Sequence, residues 1–522
     1  MEEIGIISGA DHLSTDIVLK KDITVPLGVL LTAQAGDWNI LYMVNKLESH
    51  SVISSESLVN SIKDHLGEGG NLINEDEQLF NTAQSKALLM FHGSDTATVK
   101  LAPKLLTTVR KIEHKDLSFM NTQKGVYVGN IRSGMDVMDI PVYLNAEDTF
   151  SHHVLITATT GRGKSNLVKV MAASFLDSNK VGMLILDAHN EYYGTVGKGL
   201  KDFKSNNLSY YTRDTRYGGT TLQIDIADLK PYMVSGVLNL TEAQWQAVYL
   251  FDKMATNAYR LNGIKTSWIH KILKAAAEEE SFDDQGIGDK TLSVLVRKLK
   301  TELGLEYDIQ NNKVTSDSGL FLENVPTGNS VPAIINDLEA GKKAIIDTSS
   351  FTGATELIIG SIIMTTMFDR YVGYKNQGTL DRMPVISVVL EEAPRVLSMV
   401  SEDSENVFGR IAREGRKFKI GIVGITQLVS AIDEEILANL NTKIILGMEI
   451  KSEREKIVNS CAQDLSDSGQ VIASLDKGEA IVSSIFTKFA VPVKVPLFED
   501  YLKERVQKRG NMNITLPGGD DR

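Results

Sequence analysis

The stretch Val154-Leu155-Ile156-Thr157-Ala158-Thr159-Thr160-Gly161-Arg162-Gly163-Lys164-Ser165-Asn166 decides the fold of this chain. Val154 to Thr157 reads as a short apolar strand. The glycine-punctuated run after it reads as a turn, and Ser165 to about Asp177 as a helix. Strand, Gly-rich turn and helix in that order make a phosphate loop, because backbone N–H groups of the turn and of the helix N-terminus converge on one anion. Gly161 and Gly163 let the backbone approach closely. Thr160, Gly161, Arg162, Gly163, Lys164, Ser165 and Asn166 are therefore expected to bind a nucleoside triphosphate, ATP. Lys164 would neutralise β- and γ-phosphate oxygens, and Ser165 would give its hydroxyl oxygen to Mg2+. Ala158 stands where this motif usually has its first glycine.

Working outward, Val181 to Leu186 is a second apolar strand, closed by Asp187. Ala344–Ile346, Val385–Leu390, Ile420–Ile425 and Ile444–Leu446 continue the series. Apolar runs separated by helices predict a parallel sheet covered on both faces. Leu240 to about Gly341 is more helical and charged, and reads as an insertion. The chain up to about Asn145 is different: Ile23–Ala33, Asn39–Leu47, Leu105–Ile112, Val126–Ile131 and Ile140–Leu144 are β-rich and broken by turn residues, which predicts a small barrel or sandwich. An amphipathic helix from about Pro496 to Gln507 and a disordered end, Pro517–Arg522, complete the expectation. The fold class is thus α/β: a P-loop ATPase core with an N-terminal small β-barrel and a helical insertion. The expected divisions are 1–145 (barrel), 146–495 (motor, with its insertion at about 240–341) and 496–522 (helix and tail).

Two carboxylates, Glu391 and Glu392, follow the strand Val385–Leu390. Glu391 would hold Mg2+ through water, and Glu392 would orient and activate the attacking water. Thr426-Gln427 ends the strand Ile420–Ile425, where Gln427 can sense the γ-phosphate. Asp187 either reaches the Mg2+ shell or the catalytic water, or simply caps its turn; spacing leaves both open. The basic run Phe408 to Lys419 places Arg410 and Arg413 on one helical face, with Gly415 as a helix stop. An arginine from this run reaching a neighbouring subunit's γ-phosphate would make hydrolysis depend on assembly.

Net charge is -12 over 522 residues, with 42% apolar content. The acidic balance argues against a chain coated with basic residues but permits a ring that is acidic outside and basic along its pore. Cys461 is the only cysteine, which excludes an intramolecular disulfide and fits a reducing compartment. No basic region precedes an apolar core at the N-terminus, and the apolar stretch Leu357–Phe368 is too short to span a bilayer. A cytoplasmic protein without a membrane segment is expected.

Together, Thr160–Asn166, Asp187-Ala188-His189-Asn190-Glu191-Tyr192, Glu391-Glu392-Ala393 and Ile411–Phe418 resemble HerA, of the HerA–FtsK group of P-loop ATPases. The likeness covers roughly His153 to Val495; Lys477–Val482 is similar to the family's C-terminal strand region. The resemblance implies a RecA-like motor, a homohexameric ring, ATP-driven movement on double-stranded DNA, and a nuclease partner such as NurA in DNA end processing and repair. It also implies that Arg413 or Arg416 acts in trans. The alternative is a HerA-like scaffold that assembles and gates an effector, a nuclease or a sirtuin-like subunit, in antiphage defence. A membrane-bound pump of FtsK or conjugative type would need a membrane segment. Ala158, Arg162 and Asn190 depart from the family's usual residues.

Overall fold

The computed structural model describes residues 2–53, 58–59, 78–120, 125–234, 237–238, 240–263, 265–325, 328–398 and 406–512. In chain order, the first strands are β1 (Glu3–Ala10), β2 (Ser14–Leu19), β3 (Leu30–Ala35), β4 (Trp38–Ser51), β5 (Leu79–His92), β6 (Asp95–Ala97) and β7 (Thr108–Lys111). The hairpin β8 (Val126–Ser133) and β9 (Asp136–Leu144) follows, then helix α1 (Ala146–Ser151), β10 (Val154–Thr157), α2 (Lys164–Ser174), β11 (Val181–Asp187), β12 (Leu208–Thr212), β13 (Thr220–Thr221) and β14 (Ile224–Asp225). Next come α3 (Glu242–Asn262), α4 (Trp268–Ala277), α5 (Asp289–Leu303), β15 (Leu305–Asp308), β16 (Lys313–Ser316), β17 (Phe321–Leu322), α6 (Ser330–Glu339), β18 (Lys343–Asp347) and α7 (Gly353–Asn376). The chain closes with β19 (Val385–Leu390), α8 (Val407–Glu414), β20 (Ile420–Thr426), α9 (Glu434–Asn439), β21 (Thr442–Leu446), α10 (Lys451–Asn459), α11 (Gly469–Ala473), β22 (Glu479–Ser484), β23 (Val491–Lys494) and α12 (Phe498–Met512). These form two compact units. One holds Met1–Asn145, Thr157–Leu167 and Thr442–Leu497; the other holds Ala146–Ile156, Val168–Asn441 and the chain from Phe498 onward.

In the first unit, β2-β1-β7-β3-β4-β5 close into a barrel through the antiparallel pairing of β2 with β5, and β6 hangs on β5. Alternating residues of these strands, among them Ile4, Ile17, Leu31, Ile40, Tyr42, Val44 and Val109, fill its interior. The expected barrel is present, with different strands. Pro26 and Gly28, the latter at φ +76°, keep Ile23–Val29 in turns, so the strand begins only at Leu30. β1, β2 and β5 were missed, because their polar residues hide the period-2 pattern. The hairpin β8–β9 joins β21-β22-β23 in an antiparallel sheet rather than the barrel. The barrel is tied to that sheet by the Leu30 N–H donating to Ser133 Oγ at 2.9 Å, and the buried Lys86 ammonium pairs with Asp464 and, at 3.4 Å, with Asp467.

In the second unit, the strand order is β13-β12-β18-β11-β19-β20-β10. Its central strands pair in parallel: Met183–Asp187 beside Lys343–Asp347, Val181–Ile185 beside Val385–Val389, and Ile386–Leu390 beside Ile420–Gly424. β11, β19 and β20 are buried along their whole length, as their unbroken apolar runs require. α7, whose middle is buried, contains the apolar stretch Leu357–Phe368. Among the described residues no helix is long and apolar enough to cross a membrane. The expected insertion is α3, α4 and α5, each started by a capping residue or a glycine, with the hairpin β15–β16. α12 runs past the expected Gln507 to Met512, while Pro517–Arg522 lies outside the described residues.

His153 opens β10 from the left-handed region, at φ +61°. Its Nδ1 accepts the Ile422 N–H at 3.1 Å, so the ring is neutral, and burial holds its pKa down at about 4. The unfolded ring protonates near pH 6.5. Between those values the unfolded state binds the extra proton, so stability is complete above about pH 6.5 and is lost as pH falls towards 4. His153→Asn keeps an acceptor on a residue type that tolerates positive φ. On moving from about pH 7 to pH 5, the wild type is expected to lose about 2 kcal/mol more unfolding free energy than this variant, measured by denaturant titration at each pH.

Candidate functional site

The phosphate loop belongs to the first unit. Gly161 and Gly163 have φ of +78° and +106°, conformations closed to ordinary side chains. No atom stands within 4 Å of a Cβ built on Gly161, and on Gly163 only Gly478 comes near, at 3.9 Å. Backbone conformation, not crowding by protein, therefore demands glycine here. Ala158 is fully buried and has negative φ, so the missing first glycine costs the loop nothing. α2 begins at Lys164, which places the Ser165 hydroxyl in its first turn. The Lys164 ammonium donates to the carbonyls of Ala158 at 3.1 Å and Thr159 at 3.4 Å, bridging the loop.

Two other expected loop contacts serve as struts. Arg162 donates to Leu475 O at 3.1 Å and pairs with Glu449 at 2.7 Å, while its own carbonyl accepts the Gly478 N–H. Asn166 donates to Pro496 O at 2.9 Å. Thr160 is exposed on the loop.

The carboxylates belong to the second unit. Because β11, β18, β19 and β20 are parallel, Asp187, Asp347, Glu391 and Thr426-Gln427 all lie at or just beyond the C-terminal edge of one sheet, where ligands of open α/β sheets bind. Gln427 is exposed, just past a turn in which Thr426 Oγ1 accepts the Leu428 N–H. Glu392 is exposed at φ +53°, an unusual conformation for glutamate that turns the chain at the strand end. Glu391 is half-buried, and burial raises its pKa while the hydrogen bond from the Tyr192 hydroxyl lowers it. A cleft of about 220 Å³ opens beside the pair, lined by His189, Thr348, Glu356, Glu391, Glu392 and Arg395.

Asp187 is fully buried. Its Oδ1 accepts the Glu191 N–H at 2.9 Å; its Oδ2 accepts those of Tyr192 at 3.0 Å and Tyr193 at 3.3 Å. Of the two readings left open by spacing, the geometry is that of the turn-capping aspartate. Burial still raises its pKa against those bonds. Asn190, at φ +56°, donates to Ser349 Oγ at 2.7 Å.

α8 carries the basic run, capped by the buried Asn406. Arg410 lies 4.5 Å over the Phe368 ring, Arg413 lies 3.3 Å from Glu435, and Arg416 is exposed on the following 3-10 turn. The sequence gives no sign of two pairings at this edge, Tyr192 with Glu391 and Glu356 with Arg395, although Tyr192 lies in the Asp187–Tyr192 motif. Arg395, three residues beyond Glu392, pairs with the buried Glu356 at 3.4 Å. Both pairings join residues distant in sequence, so no local pattern announces them.

Among the described residues no three His, Cys, Asp or Glu side chains cluster closely enough to cage a metal. The expected Mg2+ donors, the Ser165 hydroxyl in the first unit and the Glu391 carboxylate in the second, are each hard oxygens. They suit an ion carried mainly by nucleotide phosphates and water.

Residues 126–367 match the family model of the helicase HerA central domain. Over 511 residues the chain is 25% identical to the DNA double-strand break repair helicase HerA of Sulfurisphaera tokodaii, covering 95% of this chain and 93% of that one. The HerA of Pyrococcus furiosus is 23% identical across 100% of this chain and 96% of its own length. A parallel α/β sheet with this loop and edge defines a P-loop ATPase. Within that class the chain is similar to HerA, as its motifs indicated, and the matched central-domain region spans both the phosphate loop and the Asp187–Tyr192 turn. Gly163→Ala is expected to weaken nucleotide binding at least tenfold and to cost roughly 1–2 kcal/mol of stability, since φ +106° is barred to alanine. Titration with a fluorescent ATP analogue and thermal melting check both.

Proposed function

We propose that this chain is an ATP-driven double-stranded DNA translocase or helicase, working as a hexameric ring with a nuclease in DNA end processing. The observation that carries the reading is the HerA central-domain match laid over a phosphate loop whose Gly161 and Gly163 take positive φ. The coverage of HerA helicases over nearly their whole length supports it further. A cytoplasmic setting follows from the substrate.

In this mechanism the loop N–H groups and Lys164 hold the triphosphate. Bound Mg2+ would supply charge neutralisation at the β- and γ-phosphates, with Ser165 and Glu391 as its protein oxygens. Glu392 takes the proton of the attacking water, its position set by the turned backbone at the end of β19. Gln427 reports the γ-phosphate to β20. Arg413 or Arg416 reaches the neighbouring subunit's nucleotide, coupling turnover to assembly. Movement on DNA needs few base contacts, so binding to phosphates dominates and is sensitive to salt.

Glu392→Gln is expected to lower ATP turnover by about a hundredfold or more while nucleotide binding persists, and Lys164→Ala to lose binding itself. Turnover measured with and without linear duplex DNA is expected to rise with DNA in the wild type alone. Turnover indifferent to DNA but altered by a co-expressed protein partner would sink the motor reading in favour of an effector-gating scaffold.

A further inference from the structure

Glu391 and Tyr192 lie 199 residues apart in sequence and meet at the carboxylate edge of the parallel sheet. Tyr192 is 1% exposed, and its hydroxyl donates to Glu391 Oε1. Among the described residues no other hydrogen bond engages Glu391, so one oxygen is anchored and the other remains available. Three things fix the anchor. The Tyr192 N–H donates to the buried Asp187 carboxylate, which also takes the N–H groups on either side of it. Next along, Tyr193 stacks on Tyr210 with ring centroids 3.7 Å apart and planes 4° from parallel, pinning the following backbone. The Leu200 N–H donates to the Tyr192 carbonyl at 2.9 Å. A phenol buried this firmly cannot follow a wandering carboxylate; the carboxylate must come to it.

We propose that Tyr192 is a positioning residue for Glu391: its hydroxyl holds one carboxylate oxygen so that the other faces the magnesium and water of the bound nucleotide, and Asp187 acts only by building the turn that presents it. This rests on the assignment of Glu391 to the nucleotide's Mg2+. It gives a task to a tyrosine that the motifs left without one, and it removes Asp187 from the metal shell. Partners that orient a metal's ligands typically change affinity or activity by about 10–100-fold when lost.

The test uses the full-length protein and Tyr192→Phe, which keeps the ring and deletes only the hydroxyl. Binding of a fluorescent ATP analogue is titrated with EDTA and then with rising Mg2+, alongside steady-state turnover and thermal melting. The expected result is a half-saturating Mg2+ concentration raised about tenfold, kcat lowered about 10–100-fold, and EDTA-phase binding within about twofold of wild type. On a Glu391→Gln background the same substitution is expected to add little, as residues acting through one another do. Unchanged Mg2+ dependence and kcat would overturn the proposal. So would a loss of EDTA-phase binding in step with a fall in melting temperature, which would make the hydroxyl merely structural, or full additivity with Glu391→Gln. If the wild type hydrolyses no ATP, the proposed function fails, and the Mg2+ dependence of binding still judges Tyr192.

Discussion

Parallel pairing is the constraint on which the chemistry of this chain depends. Parallel strands must all finish at one edge, so residues separated by up to 240 positions, from Asp187 to Gln427, are delivered to the same side of a sheet by backbone hydrogen bonding alone. Each strand also needs a covered crossover, which buries both faces and explains why β11, β19 and β20 tolerate so few polar residues. Polar side chains collect where the strands stop, because that is where desolvation ceases to forbid them. β10 lies next to β20 in this order, and the chain runs from it directly into the phosphate loop.

Burial at that edge sets the protonation balance. Asp187 sits in a site that penalises its charge, and three backbone N–H groups offset much of the penalty. Glu391 has one hydroxyl donor for the same task, and Glu356 has Arg395. Each of these three carboxylates therefore has a partner that fixes at least one of its oxygens. The turn Asp187–Tyr192 carries most of that organisation, with Asn190 in the left-handed region, and Glu392 at the end of β19 takes a positive φ as well.

The motor was legible because its signals are local. Four β-branched or apolar residues before Ala158, two glycines and Lys164-Ser165 specify strand, turn and helix within a dozen positions, and the runs at Val181, Val385 and Ile420 are too apolar to be anything but buried strands. The barrel was legible only in kind. β1 and β5 mix polar residues on both faces, and the chain around Pro26 and Gly28 is apolar without being a strand. The hairpin β8–β9 looks like barrel sequence because nothing in an isolated strand records which edge it will join. Tyr192 and Arg395 escaped for a related reason: their roles come from partners that only the folded sheet supplies.

The departures from the family pattern sort by the same logic. Ala158 occupies a glycine position that needs no positive φ, so its methyl group adds buried apolar surface without strain. Asn190 occupies a left-handed position, and asparagine is the residue after glycine that bears it best. Arg162 is different, since a long cation replaces a small residue at the centre of a phosphate-binding loop. Its guanidinium is turned onto Glu449 and the Leu475 carbonyl, so the loop gains two struts. A substitution that looks electrostatic in the sequence thus acts mechanically in the fold, stiffening the one segment whose backbone geometry has to be right before any phosphate arrives.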